Sequence, residues 1–370
     1  MQASAVLKDK GVTFPIFLFR FSRLFLIELV EMNIVHTKLL FAAIPLLAAG
    51  CSHSSHVVFS EPDSRLICRL DDHENPVGSI KSLCFLSDTS FVVSARNSEA
   101  IFVFNLSGNL LNVIDRSGRG PLEYYSPGRV RTWNGRIVVW SAQLLKFIEY
   151  EPDGTPVREW QYPSACSDFL VSEKYIVIYT NGVRDSHIID LLNKETGEVS
   201  SVGKETVWSH KVLNVNDAVS PFCMDGDILY YMPRNELSVW ACNLKTGDIS
   251  RAAAWTSPSF VVDDLQDDII PDRNRLIPFL QKNSLVVGLC KTDGAFMVLT
   301  LEGENRPYAG FGERYYSLYT VSGQDVAVSH FLMSDIAEYD RITEWRGHLY
   351  YLHHIVENSE DIYELQILTH

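Results

Sequence analysis

The sequence predicts an all-β fold, a six-bladed β-propeller in which an N-terminal strand closes the last blade. Three observations carry this. A unit of strand, polar turn and strand recurs six times. In five of the six copies a glycine turn follows. A lone strand-like run stands near the start, while the last copy lacks an outer strand.

The copies begin with Phe91–Ala95 and Ile101–Asn105. They continue with Arg136–Trp140 and Leu145–Tyr150, Tyr175–Thr180 and Ser186–Leu192, and Asp227–Tyr231 and Leu237–Asn243. The last two are Ser284–Cys290 with Ala295–Leu301, and Gly347–Leu352 with Ile362–Leu368. Short apolar runs bounded by Asn, Ser and Gly read as antiparallel strands joined by tight turns. The turns fall at Gly108, Gly154, Gly197, Gly247 and Gly303. First strands lie roughly 40 to 60 residues apart, near the four-strand period of a propeller blade. A two-sheet sandwich also has many short strands, but it accounts less well for the repeated order. Arg65–Leu70 is the lone strand, and pairing it with the last blade would leave no long exposed edge.

In chain order, residues 1–31 read as an upstream segment. Their apolar run Phe14–Val30 is interrupted by Arg20, Arg23 and Glu28, too charged for a membrane span. Met32 opens a more regular leader over residues 32–50: Lys38, the apolar run Leu39–Ala49, then small residues before Cys51. That order resembles a lipoprotein signal peptide, with Cys51 as the acylated residue. Two or more acyl chains would hold the protein firmly to a membrane. Residues 51–60 are then a lipidated tether and 61–370 the propeller. Ser52 after the cysteine and the lack of an acidic run suggest the outer membrane, facing the periplasm.

Net charge is −14. Residues 1–50 carry five Lys/Arg against three Asp/Glu, leaving the remainder at −16. Such a body is repelled by nucleic acid. The six cysteines after Cys51 sit mostly in apolar runs and read as buried thiols. No CxxC, GxSxG, HExxH, P-loop or dinucleotide motif occurs, so no catalytic residue, metal or cofactor is assigned. Asp263, Asp264, Asp267 and Asp268 lack calcium-loop spacing and read as a solvated acidic insertion. His353 and His354 are adjacent, so in a strand they face opposite ways.

Arg116 to Tyr124, reading RSGRGPLEY, is the most specific stretch. It resembles the Gly-x-Gly-Pro-x-Glu-Tyr/Phe signature of TolB-like six-bladed β-propeller lipoproteins of Gram-negative gut bacteria. Gly310–Tyr315 resembles a degraded copy, without the proline. The resemblance implies fold and cell address, not activity.

Two roles are open for this stretch: Arg119 and Glu123 brace the blade crossing with Tyr124 packed between blades, or they bind a ligand. The turns between paired strands carry cationic or amide residues, including Arg96, Gln143, Arg184, Arg234 and Lys291; Arg314 lies within the second motif. On one face they would form an anion or sugar-acid site at the channel mouth. The expected function is a lipid-anchored binding or scaffold module of the cell envelope. Its ligand, an anionic sugar or an envelope protein, would lie on the face carrying Gly118–Tyr124. A carbohydrate-active hydrolase or lyase using the channel is the alternative.

Overall fold

Burial in this chain is greatest in the middle strands of the blades and least at the rim. All six residues of Ser90–Ala95 and all five of Lys146–Tyr150 are buried, whereas Ile249–Ala254 is almost wholly exposed. Strands covered on both faces read as continuous apolar runs. Those at the rim need not.

The structure is a computed structural model. It describes residues 64–70, 80–95, 99–180, 187–205, 221–263, 273–303, 314–333, 342–357 and 360–368, all within the compact unit His56–His370. The upstream segment, leader, Cys51 and tether lie outside the described residues, as do Arg96 and Arg184.

After β1 (Ser64–Arg69), the first blade is β2 (Ile80–Ser87), β3 (Ser90–Ala95), β4 (Ile101–Asn105) and β5 (Leu110–Ile114). The second is β6 (Pro127–Trp133), β7 (Arg136–Ser141), β8 (Lys146–Tyr150) and β9 (Pro156–Gln161). The third is β10 (Asp168–Val171), β11 (Tyr175–Tyr179), β12 (His187–Asn193) and β13 (Val199–Glu205). The fourth is β14 (Phe222–Asp225), β15 (Ile228–Tyr231), β16 (Ser238–Asn243) and β17 (Ile249–Ala254). A helix, α1 (Arg273–Lys282), precedes the fifth: β18 (Leu285–Thr292), β19 (Ala295–Leu301), β20 (Arg314–Ser322) and β21 (Asp325–Met333). The sixth is β22 (Ile342–Trp345), β23 (His348–Glu357) and β24 (Glu360–Leu368), completed by β1. Every neighbouring pair within the six sheets is antiparallel.

The six-bladed propeller and its closure by the N-terminal strand are therefore as expected. β1 pairs with β24 from Ser64 opposite Leu368 to Arg69 opposite Glu364, and Arg69 Nε donates to Glu364 Oε1 at 2.8 Å. Gly108 shows how tightly the seam is drawn: at φ 85°, a Cβ there would lie 1.7 Å from the Arg69 carbonyl oxygen.

Apolar cores fill the seams between blades. Six buried clusters each join two consecutive blades, and one joins the sixth to the first through Cys68, Phe91, Phe104 and Leu365. All six described cysteines are free thiols, five of them buried.

One expectation needs correction. Five of the recurring pairs are the second and third strands of a blade, but Ser284–Cys290 with Ala295–Leu301 is the first and second. The glycines explain the slip. Gly108, Gly154, Gly197 and Gly247 have positive φ in third-to-fourth turns. Gly303 follows a second strand, and it is required by close approach instead: a Cβ would meet the Lys282 carbonyl oxygen at 2.0 Å. His353 and His354 lie within the strand β23. Of the acidic insertion, only Asp263 is described; it pairs with Lys282 at 2.7 Å.

Candidate functional site

In a four-stranded antiparallel blade, the first-to-second and third-to-fourth turns share one end. The second-to-third turn and the link to the next blade share the other. The sequence signature sits in such a link, between β5 and β6.

There the chain folds onto itself. Gly118 N–H donates to the Tyr124 carbonyl at 2.8 Å, and Tyr124 N–H to the Arg116 carbonyl at 3.2 Å. Glu123 Oε2 accepts the Gly120 N–H at 2.7 Å. A Cβ on Gly118 would lie 1.9 Å from that same oxygen, so the first glycine is needed for the carboxylate to turn back. Tyr124 is fully buried. Its hydroxyl donates to the Ile114 carbonyl at 2.5 Å and accepts the Arg116 N–H at 3.3 Å. Burial pushes this phenol well above its ordinary range. Arg119 stacks on the Tyr125 ring at 4.8 Å.

The second blade grips the same loop. Lys146 Nζ donates to the Gly120 carbonyl at 2.9 Å and to Glu159 Oε2 at 2.7 Å. Glu159 Oε2 also accepts the Leu122 N–H, at 2.7 Å. Burial opposes the Glu159 charge, but these two donors hold its carboxyl below the usual range. Tyr150 donates to the Leu122 carbonyl at 2.8 Å. Glu123 and Tyr124 thus spend their polar atoms on the blade crossing.

The other predicted residues do not converge. Gln143 is exposed in the second-to-third turn of its blade. Arg234 is fully buried, 5.8 Å over the Tyr179 ring, and burial lowers its pKa. Lys291 is the last residue but one of the inner strand β18, at the opposite end of the ring, and is paired with Asp225 at 2.6 Å. Arg314 opens β20. The pairing slip in the fifth blade is what put Lys291 among the turns of the wrong end.

At that opposite end lies a cavity of about 890 Å³. All six inner strands line it: Cys84 and Phe85 of β2, Arg131 to Trp133 of β6, and Asp168 and Leu170 of β10. Phe222 to Met224 of β14, Gly288 of β18 and Ile342 to Trp345 of β22 complete the ring. This is the mouth of the central channel, rimmed by first-to-second and third-to-fourth turns.

Its chemistry is mixed. Arg131 and the almost fully buried Asp168 form an ion pair deep in the lining, and Asp168 Oδ1 also accepts the Phe169 N–H at 2.8 Å. At the rim Lys245 pairs with Asp227, and Lys174 lies 5.1 Å over the Tyr175 ring. Trp345 stacks on Phe85 at 5.5 Å. Trp133 is half-buried and covers the buried Lys194, whose Nζ is 3.7 Å from the indole centroid. Lys194 Nζ makes no hydrogen bond, and burial lowers its pKa to about 8. Glu344 accepts the Gly347 N–H at 2.9 Å, and burial raises its carboxyl above the ordinary value. A second cavity, about 440 Å³, adjoins Glu344 on the side of Asp225 and Lys291.

No trio of His, Cys, Asp or Glu among the described residues is placed to hold a metal. Sequence reasoning missed Trp133, Glu344 and Trp345. Only their positions at the ends of inner strands could have singled them out.

Solved structures that share the fold include two from Bacteroides. One is a candidate exported protein of Bacteroides fragilis, 13% identical, covering 86% of this chain and 96% of its own, with a TM-score of 0.56. The other is a DUF4221 family member from Bacteroides vulgatus, 11% identical, covering 83% and 95%, also with a TM-score of 0.56. No curated protein matches the chain. The sequence profile of the DUF5128 family, described as a 6-bladed beta-propeller, matches residues 71–257, half of the chain. The chain belongs to this family of six-bladed propellers.

Proposed function

We propose that this chain is an exported binding module of the cell envelope that takes its ligand at the channel mouth lined by the six inner strands. One observation carries the reading: a cavity of about 890 Å³ in which half-exposed aromatic rings stand beside charged groups. Ligand sites are concave and largely apolar, with a few fixed polar groups. The opposite end offers less, because Glu123 and Tyr124 are held by the blade crossing. Export is supported by the leader-like residues 32–50 and by the description of the B. fragilis neighbour. Acylation of Cys51, and an outer-membrane address facing the periplasm, belong to the same reading. Radiolabelled palmitate incorporated by the wild type and lost in Cys51→Ser would support the anchor; unlabelled wild-type protein would remove it.

The detergent-solubilised full chain is titrated with neutral, acidic and amino sugars and with short peptides, followed by tryptophan fluorescence. A saturable change that disappears in Thr343→Trp, which fills the mouth, and persists in Arg119→Ala supports the reading. Binding lost in Arg119→Ala and kept in Thr343→Trp would move the site to the Gly118–Tyr124 face.

A further inference from the structure

The charge at the mouth says which ligands it favours. The first-to-second turns of all six blades and the third-to-fourth turns of the first five are among the described residues, so their charges can be weighed. The lining carries Asp168, Glu173, Glu195, Asp227 and Glu344 against Arg131, Lys174 and Lys245. Two pairs close internally, Arg131 with Asp168 and Lys245 with Asp227. What remains is Glu173, Glu195 and Glu344 against Lys174.

Glu344 is the odd member. It sits on the inner strand β22, lines both cavities, and accepts one hydrogen bond, from the Gly347 backbone N–H. Glu344 forms no ion pair among the described residues, with only His348 favouring its charged form from nearby; Lys291 and Arg346, which line the second cavity with it, are paired with Asp225 and Asp88. A carboxylate withdrawn from water without a cation is held at a cost that an arriving cation relieves. The rings of the mouth suit the same guest: Trp345 and Trp133 line the same cavity as Glu344, and aromatic faces attract organic cations. The body's net charge of −16 adds a long-range attraction, focused by low-dielectric walls.

We propose that the channel mouth takes an organic cation, an ammonium or guanidinium, with its charge on Glu344 and its apolar part against Trp345. This rests on the mouth being the binding site, and it favours the opposite ligand charge from the sugar acid suggested by the cationic turns. Glu173 and Glu195, both exposed at the rim, steer rather than seat the ligand.

The test uses a matched pair of probes on the full chain, by calorimetry at fixed ionic strength. N-acetyl-arginine amide is a cation; N-acetyl-citrulline amide has nearly the same shape and none of the charge. The arginine probe should bind at least about tenfold more tightly, with the gap closing as salt is raised. Glu344→Gln should erase the preference without lowering thermal stability, since it removes a strained charge. Glu173→Gln/Glu195→Gln should weaken arginine binding a few-fold and keep the preference. Equal binding of the two probes, a preference surviving in Glu344→Gln, or no binding of either would overturn the proposal. If both probes bind equally and Thr343→Trp abolishes both, the mouth remains the site and only the charge assignment falls.

Discussion

Tyr124→Phe separates a structural signature from a binding one. The substitution keeps the ring, its edge-on contact with Tyr150 and nearly all of its volume, and it removes one oxygen. That oxygen makes two hydrogen bonds at a fully buried site, to the Ile114 carbonyl and from the Arg116 N–H. With no water able to replace it, the loss leaves polar groups of the link unpaired, at about 1–3 kcal/mol. For a body of this size each kcal/mol moves the midpoint by roughly 2 °C, so the variant should melt about 2–6 °C below the wild type. The assay is thermal unfolding of the two proteins side by side, with the Arg119→Ala variant as a surface control expected within about 1 °C. Ligand binding at the channel mouth should be unchanged. A Tyr124→Phe protein that melts with the wild type but loses ligand would refute the reasoning, because the signature would then be a binding element.

Gly108→Ala should destabilise by about 2 kcal/mol or more, since φ is 85° and the added methyl meets the Arg69 carbonyl of the closing strand. Hydrogen exchange should show the loss first in β1 and β24. Burial raises the folded pKa of Glu302, with Ser317, Thr300 and Ser284 partly offsetting it. The folded state therefore binds this proton more tightly, and stability is lost as pH rises from the ordinary carboxylate value through the folded one. Glu302→Gln should raise the melting temperature at pH 7 and have little effect at pH 4. Lys194 has the reverse sign: its folded pKa, lowered to about 8, makes the protein gain stability as pH rises from 8 toward 10.5. Lys194→Met should flatten that rise in melting curves taken between pH 7 and 10.

How far the sequence could be read depended on whether a feature was local. Gly108, Gly154, Gly197 and Gly247 each have positive φ, a demand on one position that only certain residues meet comfortably, so four blades announced themselves. β1 was legible by a different route, through the physical cost of an uncovered edge. Gly303 broke the pattern because its glycine answers to the Lys282 carbonyl, a neighbour far enough along the chain that no turn motif reveals it. That one substitution of cause shifted the fifth blade by a strand and carried Lys291 to the wrong end in the reading.

The mouth was illegible for a related reason. It is assembled from short pieces of six inner strands, spread from Cys84 to Trp345, and each piece supplies only a few residues. Half of the inner strands are inconspicuous in sequence: β10, β14 and β22 have four residues each, and β14 is FCMD. Nothing in such a piece distinguishes a channel wall from a loop. The signature Gly118–Tyr124 attracts notice for the opposite reason, since within seven residues the chain folds back and bonds to itself, Gly118 to Tyr124 and Gly120 to Glu123. A motif dense enough to be recognised locally is one whose hydrogen bonds are closed locally, by Glu123 on Gly120 and by Tyr124 on Ile114. An open site needs groups whose partners come from outside the chain, and Glu344, with a backbone N–H and no cation, is such a group. In a ring of repeated blades the conspicuous residues hold the blades together, and the ones free to meet a ligand are scattered among the strands that face the axis.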